Sequence, residues 1–173
     1  FIDKKLSIRF IDQSPSRRLV TESMILMGNV IGLFGSDQQL ALPYRTQSGD
    51  LRRNEDIPVS QNQGPVENFN VRKNLAKASV STTPKPHRTL GVDLYVQGSS
   101  PIRRYSDLIV HRQIHNVLNQ QIPLSRKELE SELKVVEANS KNSSEIVKQD
   151  LLNSQYMWFS LHKEISWNVF FLK

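Results

Sequence analysis

The residues with the clearest chemical potential are Arg103 and Arg104, two adjacent arginines at the start of a predicted helix. The hydroxyls of Ser99 and Ser100 are suited to cap a helix, and Pro101 suits the first helical position, so we predict a helix that begins near Pro101. The helix dipole places partial positive charge at this end, which disfavours two cations unless they bind an anion. Guanidinium groups and free backbone N–H groups that converge at a helix start can form a phosphate site.

A second interpretation of the arginine pair is a solvated basic turn in which one arginine pairs with Asp107. Charged side chains are common on helix surfaces, so the residues alone leave both interpretations open. The helix that follows carries apolar residues at a 3.6-residue period, which predicts one buried face. The members of this face are Tyr105, Leu108, Ile109, Ile114, Val117 and Leu118.

The composition indicates a soluble globular domain that favours polyanionic partners. The 173 residues are 38% hydrophobic and 23% charged, which suits one domain with its own core. The 23 Lys and Arg residues exceed the 17 Asp and Glu residues, and the net charge is +6. Nucleic acid is therefore the leading class of partner, and an anionic membrane surface is the second. No run of about 18 apolar residues is present, so we expect no membrane-spanning segment.

Two features of the sequence concern its context. The chain has no cysteine, which excludes a disulfide framework and a thiolate zinc site and suits a reducing compartment. It begins with Phe1 rather than methionine, and no signal peptide pattern follows. We therefore expect this sequence to be internal to a longer polypeptide.

Three short segments have the alternating pattern of β-strands. They are residues 6–11, 40–45 and 90–96. In the second of them, Pro43 permits only an edge position, because proline has no N–H to donate to a neighbouring strand. A polar stretch over residues 46–64 predicts a surface loop, and residues 66–80 have weak helical character.

Two longer helices are predicted on either side of these segments. The first begins at Ser14 and Pro15 as cap and first residue, and Gly35 is a suitable end. Its predicted buried face consists of Leu19, Val20, Met24, Met27, Ile31 and Phe34. The last helix begins at Ser125, where Glu128 completes a capping box, and we expect a bend or interruption at residues 139–144. Together the elements predict an α/β fold, or α+β, with helices packed on a small mixed sheet.

Other candidate sites are weaker. Glu22 is the only acidic residue of the first predicted helix, and Arg18 is correctly spaced to pair with it. His111 and His115 lie four residues apart on one helix and could chelate a metal, but no third ligand is evident. The chain has neither a glycine-rich phosphate loop nor a serine nucleophile elbow, which argues against nucleotide hydrolases and serine hydrolases. The C-terminal aromatic residues are assigned to a core or an interface: Trp158, Phe159, Trp167, Phe170 and Phe171.

Three blocks of sequence carry a family resemblance. They are residues 19–26 (LVTESMIL), residues 86–91 (PHRTLG) and residues 100–108 (SPIRRYSDL), the last followed by His111 and Arg112. In this order they resemble the second half of the catalytic RNB domain of the ribonuclease II and ribonuclease R family. The resemblance runs from about residue 8 to residue 161, and the third block is its most specific part.

The resemblance implies a hydrolytic exoribonuclease that degrades single-stranded RNA from its 3′ end and releases nucleoside 5′-monophosphates with Mg²⁺. It implies that Arg103 binds the phosphate at the scissile bond, and that Arg104, Ser100 and Tyr105 shape the adjacent channel. It also implies that Glu22 contacts the terminal nucleotides and helps to select RNA over DNA. No DNA preference and no membrane association are expected.

The sequence departs from the family pattern in ways that limit these implications. The family's metal-binding aspartates lie in the first half of the domain, and no such cluster occurs here, where Asp3 and Asp12 are isolated. We expect the Mg²⁺ ligands upstream of residue 1 and expect residues 1–173, the C-terminal portion of an RNB domain, to be inactive alone. The alternative is an inactive RNA-binding or regulatory module that lacks the metal-binding half.

Two smaller departures affect individual positions. A family glutamate of the late helix has no clear equivalent, and Asp150 or Glu145 could replace it. The asparagine expected after the first block is displaced by one residue to Asn29. The expected location is the cytoplasm, or an organelle such as a plastid.

Overall fold

The computed structural model describes residues 14–47 and 64–166. Within these ranges the α-helices are α1 (Pro15–Asp37), α2 (Pro65–Asn74), α3 (Tyr105–Leu118) and α4 (Arg126–Leu161). The strands are β1 (Tyr44–Thr46) and β2 (Ser79–Ser81), and a 3₁₀ turn spans Arg88–Leu90. The predicted strand at 6–11, residues 48–63 of the predicted loop, and the last three aromatic residues lie outside the described residues.

Helices packed on a small sheet are confirmed as the architecture. Strands β1 and β2 pair antiparallel, with Tyr44 opposite Ser81. Tyr44 also bridges to Val96, and the backbone N–H of Arg45 donates to the carbonyl oxygen of Tyr95 at 2.8 Å. The segment that precedes the arginine pair is therefore anchored directly beside β1.

The strand predictions were only partly correct. The predicted strand at 40–45 begins at Tyr44, after Pro43. The predicted strand at 90–96 is wrong, because the 3₁₀ turn includes Leu90 and Gly91 adopts a φ of 66°. That left-handed conformation turns the chain and leaves isolated bridges at Val92 and Val96. The weak helical region is α2 followed by β2, since the helix ends at residue 74.

Helix α1 begins at the predicted place but buries a different face. Ser14 is its N-cap and Pro15 its first residue, and it extends two residues beyond Gly35. Its buried residues are Gly28, Gly32 and Gly35. In the predicted face, Leu19, Val20, Met24 and Met27 are exposed, whereas Ile31 and Phe34 pack against the core. Gly28 and Gly32 are buried because the segment at residues 94–96 approaches the helix, and the Val96 N–H donates to the Gly28 carbonyl at 3.0 Å. Gly35 is covered by the side chains of Leu42 and Tyr44.

The core consists of two small clusters of buried side chains. The first contains Leu40, Leu42, Tyr44, Val96 and Val110, and the second contains Ile109, Leu129 and Leu133. Helix α3 contributes to both through adjacent residues, and it therefore joins the sheet to α4. Its predicted face is wrong at Tyr105, Leu108 and Leu118, which are exposed.

A buried glutamine ties α3 to its neighbours. Gln113 is fully buried, and its amide donates to the carbonyls of Ala41 at 2.9 Å and Leu124 at 3.0 Å. Its oxygen accepts from the N–H of Leu124 at 2.7 Å. Because the buried amide finds partners for both its nitrogen and its oxygen, it can replace an apolar residue without an uncompensated polar group.

Helix α4 is a continuous helix of 36 residues, so the predicted interruption at 139–144 is absent. The predicted capping box is confirmed: Ser125 Oγ accepts from the N–H of Glu128, whose carboxylate accepts from the N–H of Ser125 at 2.8 Å. In the polar middle, Ser144 Oγ donates to the carbonyl of Ser140 at 2.7 Å. Polar residues of this stretch therefore bond within the helix instead of ending it.

Helix α1 bears on the expectation of no membrane-spanning segment. Helix α1 is long enough and apolar enough to cross a membrane by length and composition, with a mean hydropathy of 1.4 over its most apolar window. The core helix of a soluble protein meets the same criterion. Here Gly28 and Gly32 of α1 pack against the segment at residues 94–96, and Gly35 packs against Leu42 and Tyr44.

Candidate nucleic-acid interface

The buried carboxylate of Asp107 organises the turn that carries the arginine pair. Asp107 Oδ2 accepts from the backbone N–H of Ser100 at 2.8 Å and from Arg104 Nη2 at 2.6 Å and Nε at 3.0 Å. The Ser100 carbonyl in turn accepts from the N–H groups of Arg103 and Arg104, at 3.2 and 3.0 Å. These bonds hold residues 100–104 in a compact turn.

This turn corrects the predicted start of the helix. Helix α3 begins at Tyr105 with Arg104 as its N-cap, and Pro101 lies in the preceding turn. Ser99 and Ser100 therefore do not cap the helix. The physical reason is that Asp107 recruits the Ser100 N–H and the Arg104 side chain, which stabilises a turn where the sequence pattern predicts a first helical turn.

The two arginines have different surroundings. Arg104 pairs with Asp107 and also donates to Ser99 Oγ at 3.0 Å, and its side chain is 25% exposed. The interpretation of one arginine paired with Asp107 is therefore correct for Arg104. Arg103 is exposed, and within the described residues its guanidinium has no hydrogen bond or ion pair. Its charge is available to an external anion.

An open groove lies beside Arg103, with a volume of about 1340 Å³. One side is formed by Arg45 of β1, Gln97 and the arginine turn, and the other by one face of α4. The α4 face combines neutral polar and apolar side chains with the charged residues Glu132 and Lys148. Its neutral polar residues are Asn139, Ser140, Ser143 and Ser144, and its apolar residues are Val135, Val136, Val147 and Leu151.

The charged residues of the groove are mostly cationic. The cations are Arg45, Arg103, Arg104 and Lys148, and the carboxylate is Glu132. Glu132 Oε2 accepts from the hydroxyl of Tyr105 at 3.3 Å, which links α3 to α4 across the groove. A groove lined by cations attracts a polyanion and concentrates it near the surface.

The sequence-predicted site residues are only partly brought together. Arg103, Arg104 and Tyr105 line the groove. Ser100 lies in the turn behind it, bonded to Asp107 through its N–H. Glu22 is exposed on α1, forms no ion pair with Arg18, and is not among the groove residues. The functional roles assigned to all five residues remain predictions.

The described residues do not fit a metal site. Within residues 14–47 and 64–166, no three His, Asp or Glu side chains are grouped to hold a metal ion. His111, half of the histidine pair, places Nε2 at 2.7 Å from the Gly98 carbonyl, so this nitrogen carries the proton and donates. The late-helix candidates Asp150 and Glu145 are exposed and lie outside the groove lining.

Arg45 was missed as a functional residue, and Asp107 was considered only as an ion-pair partner. The sequence marks Arg45 as part of a short strand, and only the pairing of β1 with the segment at 95–96 brings it to the groove. Near it, burial lowers the pKa of His87 below its ordinary value of 6.5, and the charge of Arg45 lowers this pKa further.

The family model described as the RNB domain matches residues 3–120. An uncharacterized ribonuclease of Synechocystis is 36% identical over 148 residues, which cover 85% of this chain and 22% of that protein. The chloroplastic/mitochondrial ribonuclease II of Arabidopsis thaliana is 40% identical over 129 residues, covering 72% of this chain and 16% of that protein. The chain thus spans less than a quarter of the length of these two relatives.

Solved structures show the same fold at lower identity. An active-site mutant of an exoribonuclease from Candida glabrata superposes with a TM-score of 0.70 at 24% identity, covering 89% of this chain and 20% of that one. The ribonuclease R of Mycoplasma genitalium, in complex with ribose-methylated single-stranded RNA, gives 0.67 at 22% identity, with 92% and 30% covered. Since the RNB model matches more than half of the chain and the fold agrees, this protein belongs to the RNB domain family.

Proposed function

We propose that this chain forms the phosphate-binding part of a hydrolytic exoribonuclease that shortens single-stranded RNA from its 3′ end to nucleoside 5′-monophosphates. The single observation that carries the proposal is the contrast between the two arginines: Asp107 neutralises Arg104, whereas Arg103 is exposed at a cationic groove with no partner among the described residues. A guanidinium in this position can bind a phosphate through two parallel hydrogen bonds.

In this proposal the chain binds and orients the RNA. Arg103 holds the phosphate at the bond to be cleaved, and Arg104, Ser100 and Tyr105 shape the adjacent channel. Arg104 also fixes the turn through Asp107, and Tyr105 donates to Glu132. The family resemblance implies Mg²⁺ ligands upstream of residue 1, and this is part of the proposal. A contact between Glu22 and the 2′-hydroxyl of the terminal nucleotides would add a preference for RNA.

Single-stranded RNA is the substrate class that suits the groove best. The groove is open and lined by hydroxyl, amide and apolar groups beside the cations, which suits a flexible strand with exposed bases. The ribonuclease R of Mycoplasma genitalium has been solved with single-stranded and with double-stranded RNA, so its fold supports RNA as the class of partner. A location in the cytoplasm or an organelle such as a plastid is part of the proposal, as is the absence of membrane association.

The test compares the full-length protein with its Arg103→Gln variant on a single-stranded RNA labelled at its 5′ end. We expect the wild type with Mg²⁺ to produce a ladder that shortens from the 3′ end. Arg103→Gln should weaken RNA binding by about 1–3 kcal/mol, because a charge-assisted contact to phosphate is lost, and should slow the shortening.

Arg126→Gln is the matched control. It removes the same charge from the exposed first turn of α4, outside the groove, where the helix dipole already disfavours a cation. RNA binding without shortening by the wild type would favour the RNA-binding module over the enzyme. Equal RNA affinity of wild type and Arg103→Gln at fixed salt would reject the phosphate-binding role.

A further inference from the structure

We propose that Arg45 binds a second phosphate of the RNA strand whose scissile phosphate Arg103 holds. The inference rests on the proposed function and adds a residue that neither the sequence pattern nor the arginine turn identifies. With two separate cations in one groove, the strand would be held at two phosphates, which fixes its register as well as its position.

The position of Arg45 is set by the backbone on both sides of β1. Its Cα lies opposite Val80 of β2, and its N–H donates to the Tyr95 carbonyl at 2.8 Å on the other side. A residue held between two neighbouring segments has little freedom to move. Its side chain lines the same groove as Gln97 and Arg103.

The guanidinium of Arg45 has no partner of its own. The residue is partly buried, and within the described residues its side chain forms no hydrogen bond and no ion pair. The groove carboxylate, Glu132, accepts from Tyr105. A partly desolvated guanidinium whose donors are unused is unfavourable until an anion binds.

Two further observations concern the kind of anion that Arg45 would bind. Burial lowers the pKa of His87 and the charge of Arg45 lowers it further, so this imidazole stays neutral and is not a counter-ion for Arg45. Opposite, α4 presents Asn139, Ser140 and Ser143, which are neutral hydrogen-bonding groups. Three arginines on one wall, facing an α4 wall whose hydroxyl and amide groups stand beside Lys148 and Glu132, suit a sugar-phosphate strand.

The test uses the full-length wild type, Arg45→Gln, Arg103→Gln and the control Arg126→Gln in RNA titrations at several salt concentrations. Arg45→Gln should weaken binding about tenfold, as expected for a charge-assisted contact. It should also reduce the slope of log affinity against log salt by about 0.7, the value for one phosphate contact on a single strand. Arg126→Gln should match the wild type in both quantities.

A second set of titrations locates the contact on the RNA. Single phosphates are replaced by neutral methylphosphonates, and each replacement is measured with every protein. With the wild type, a methylphosphonate at a contacted phosphate should weaken RNA binding. This loss of affinity should disappear at one linkage in Arg45→Gln and at a different linkage in Arg103→Gln. If Arg45→Gln does not fold, Arg45→Lys replaces it in the test. Lysine cannot make the two-pronged guanidinium contact, so the loss of affinity caused by a methylphosphonate at that one linkage should change.

The outcomes separate this inference from the proposed function. Wild-type affinity, slope and linkage pattern in the Arg45 variants, with losses in Arg103→Gln, would overturn the inference alone. If Arg103→Gln also behaved as the wild type, the proposed function would fail with it. Competition by an oligoglutamate peptide as strong as that by RNA would overturn the assignment of the groove to RNA.

Discussion

At the scale of single residues, the placement of Arg103 depends on Asp107, although the two side chains form no hydrogen bond with each other. Asp107 is fully buried and fastens Ser100 and Arg104 on one side of the turn. Arg103 is then the member of the pair that points outward. The buried carboxylate stabilises this arrangement because its Oδ2 atom accepts three hydrogen bonds, two of them from a guanidinium.

Asp107→Asn should therefore reduce both stability and RNA binding. The amide oxygen can accept some of these bonds, but the buried charge that pairs with Arg104 is lost, so we expect the free energy of unfolding to fall by about 1–3 kcal/mol. RNA affinity should fall as well, because the turn no longer fixes Arg103. Denaturant unfolding and RNA titration of the full-length protein measure the two effects.

The exposed Asp93 provides the matched control for this substitution. Asp93→Asn removes the same charge from a surface position, and we expect a change within about 0.5 kcal/mol. Wild-type stability and affinity in Asp107→Asn would show that the turn forms without the buried carboxylate, which would contradict the positioning role.

At the scale of elements, α1 depends on glycines that allow another segment to lie against its backbone. A Cβ at Gly28 would lie 2.8 Å from the carbonyl oxygen of Val96 and would overlap the ring of Tyr95. Asn29 adds a fixed contact, since its amide donates to the Leu94 carbonyl at 2.8 Å. The segment at residues 94–96 leads directly to the arginine turn, so this close packing positions the groove.

Gly28→Ala should destabilise the protein although alanine is the better helix former. The gain in helix propensity is about 1 kcal/mol, whereas forcing a methyl group against a backbone carbonyl should cost about 1–3 kcal/mol more than that gain. Thermal or denaturant unfolding measures the net loss. Val30→Ala, at a position of α1 that is 54% exposed, should stay within about 0.5 kcal/mol. A Gly28→Ala variant as stable as the wild type would mean that the segment at 94–96 can move away.

Local signals in the sequence predicted the elements whose causes are local. Ser14 with Pro15 and the capping box of Ser125 with Glu128 act within one helical turn, and both helix starts are confirmed. The start of α3 was wrong because Asp107, a residue inside the helix, captures the N–H of Ser100 outside it. The residue types at a helix start do not show that a side chain further along the helix will bind the N–H of a residue before it.

The buried faces of the helices were predicted less well, because the segments that pack against a helix determine which of its faces is buried. Apolar periodicity assigned α1 a face that includes Leu19 and Val20, yet the helix buries its glycines, which carry no hydrophobic signal. For the groove, the arginine pair was visible in the sequence. Arg45 was not, because only the pairing of segments distant in the chain brings it beside Arg103.

At the scale of the whole molecule, two titratable groups sit inside the fold with buried polar atoms that lack partners. Tyr44 Oη and His87 Nδ1 have no hydrogen-bond partner among the described residues. Burial raises the pKa of Tyr44 above its ordinary value of 10.0, against the opposing effect of Arg126, and lowers the pKa of His87. Both groups are thus held in their neutral forms, and ionisation of either one opposes folding.

The free energy of unfolding should therefore decline on both sides of a neutral range. The folded pKa of His87 is below its unfolded value, so its contribution is present above about pH 6.5 and is lost as the pH falls through the folded pKa. The folded pKa of Tyr44 is above its unfolded value, so its contribution is present below about pH 10 and is lost as the pH rises through the folded pKa.

Tyr44→Phe isolates the alkaline decline. Because the hydroxyl is buried without a partner, its removal should leave stability at pH 7 unchanged or raise it by about 1 kcal/mol, and the decline above pH 10 should become shallower. Unfolding curves across the pH range measure this, with Tyr156→Phe as the control at a tyrosine that is 70% exposed. A loss of stability at pH 7 in Tyr44→Phe that the control does not show would mean that the hydroxyl is hydrogen-bonded in solution. In that case the interior around β1, which positions Arg45, would be held by a polar contact rather than by apolar packing alone.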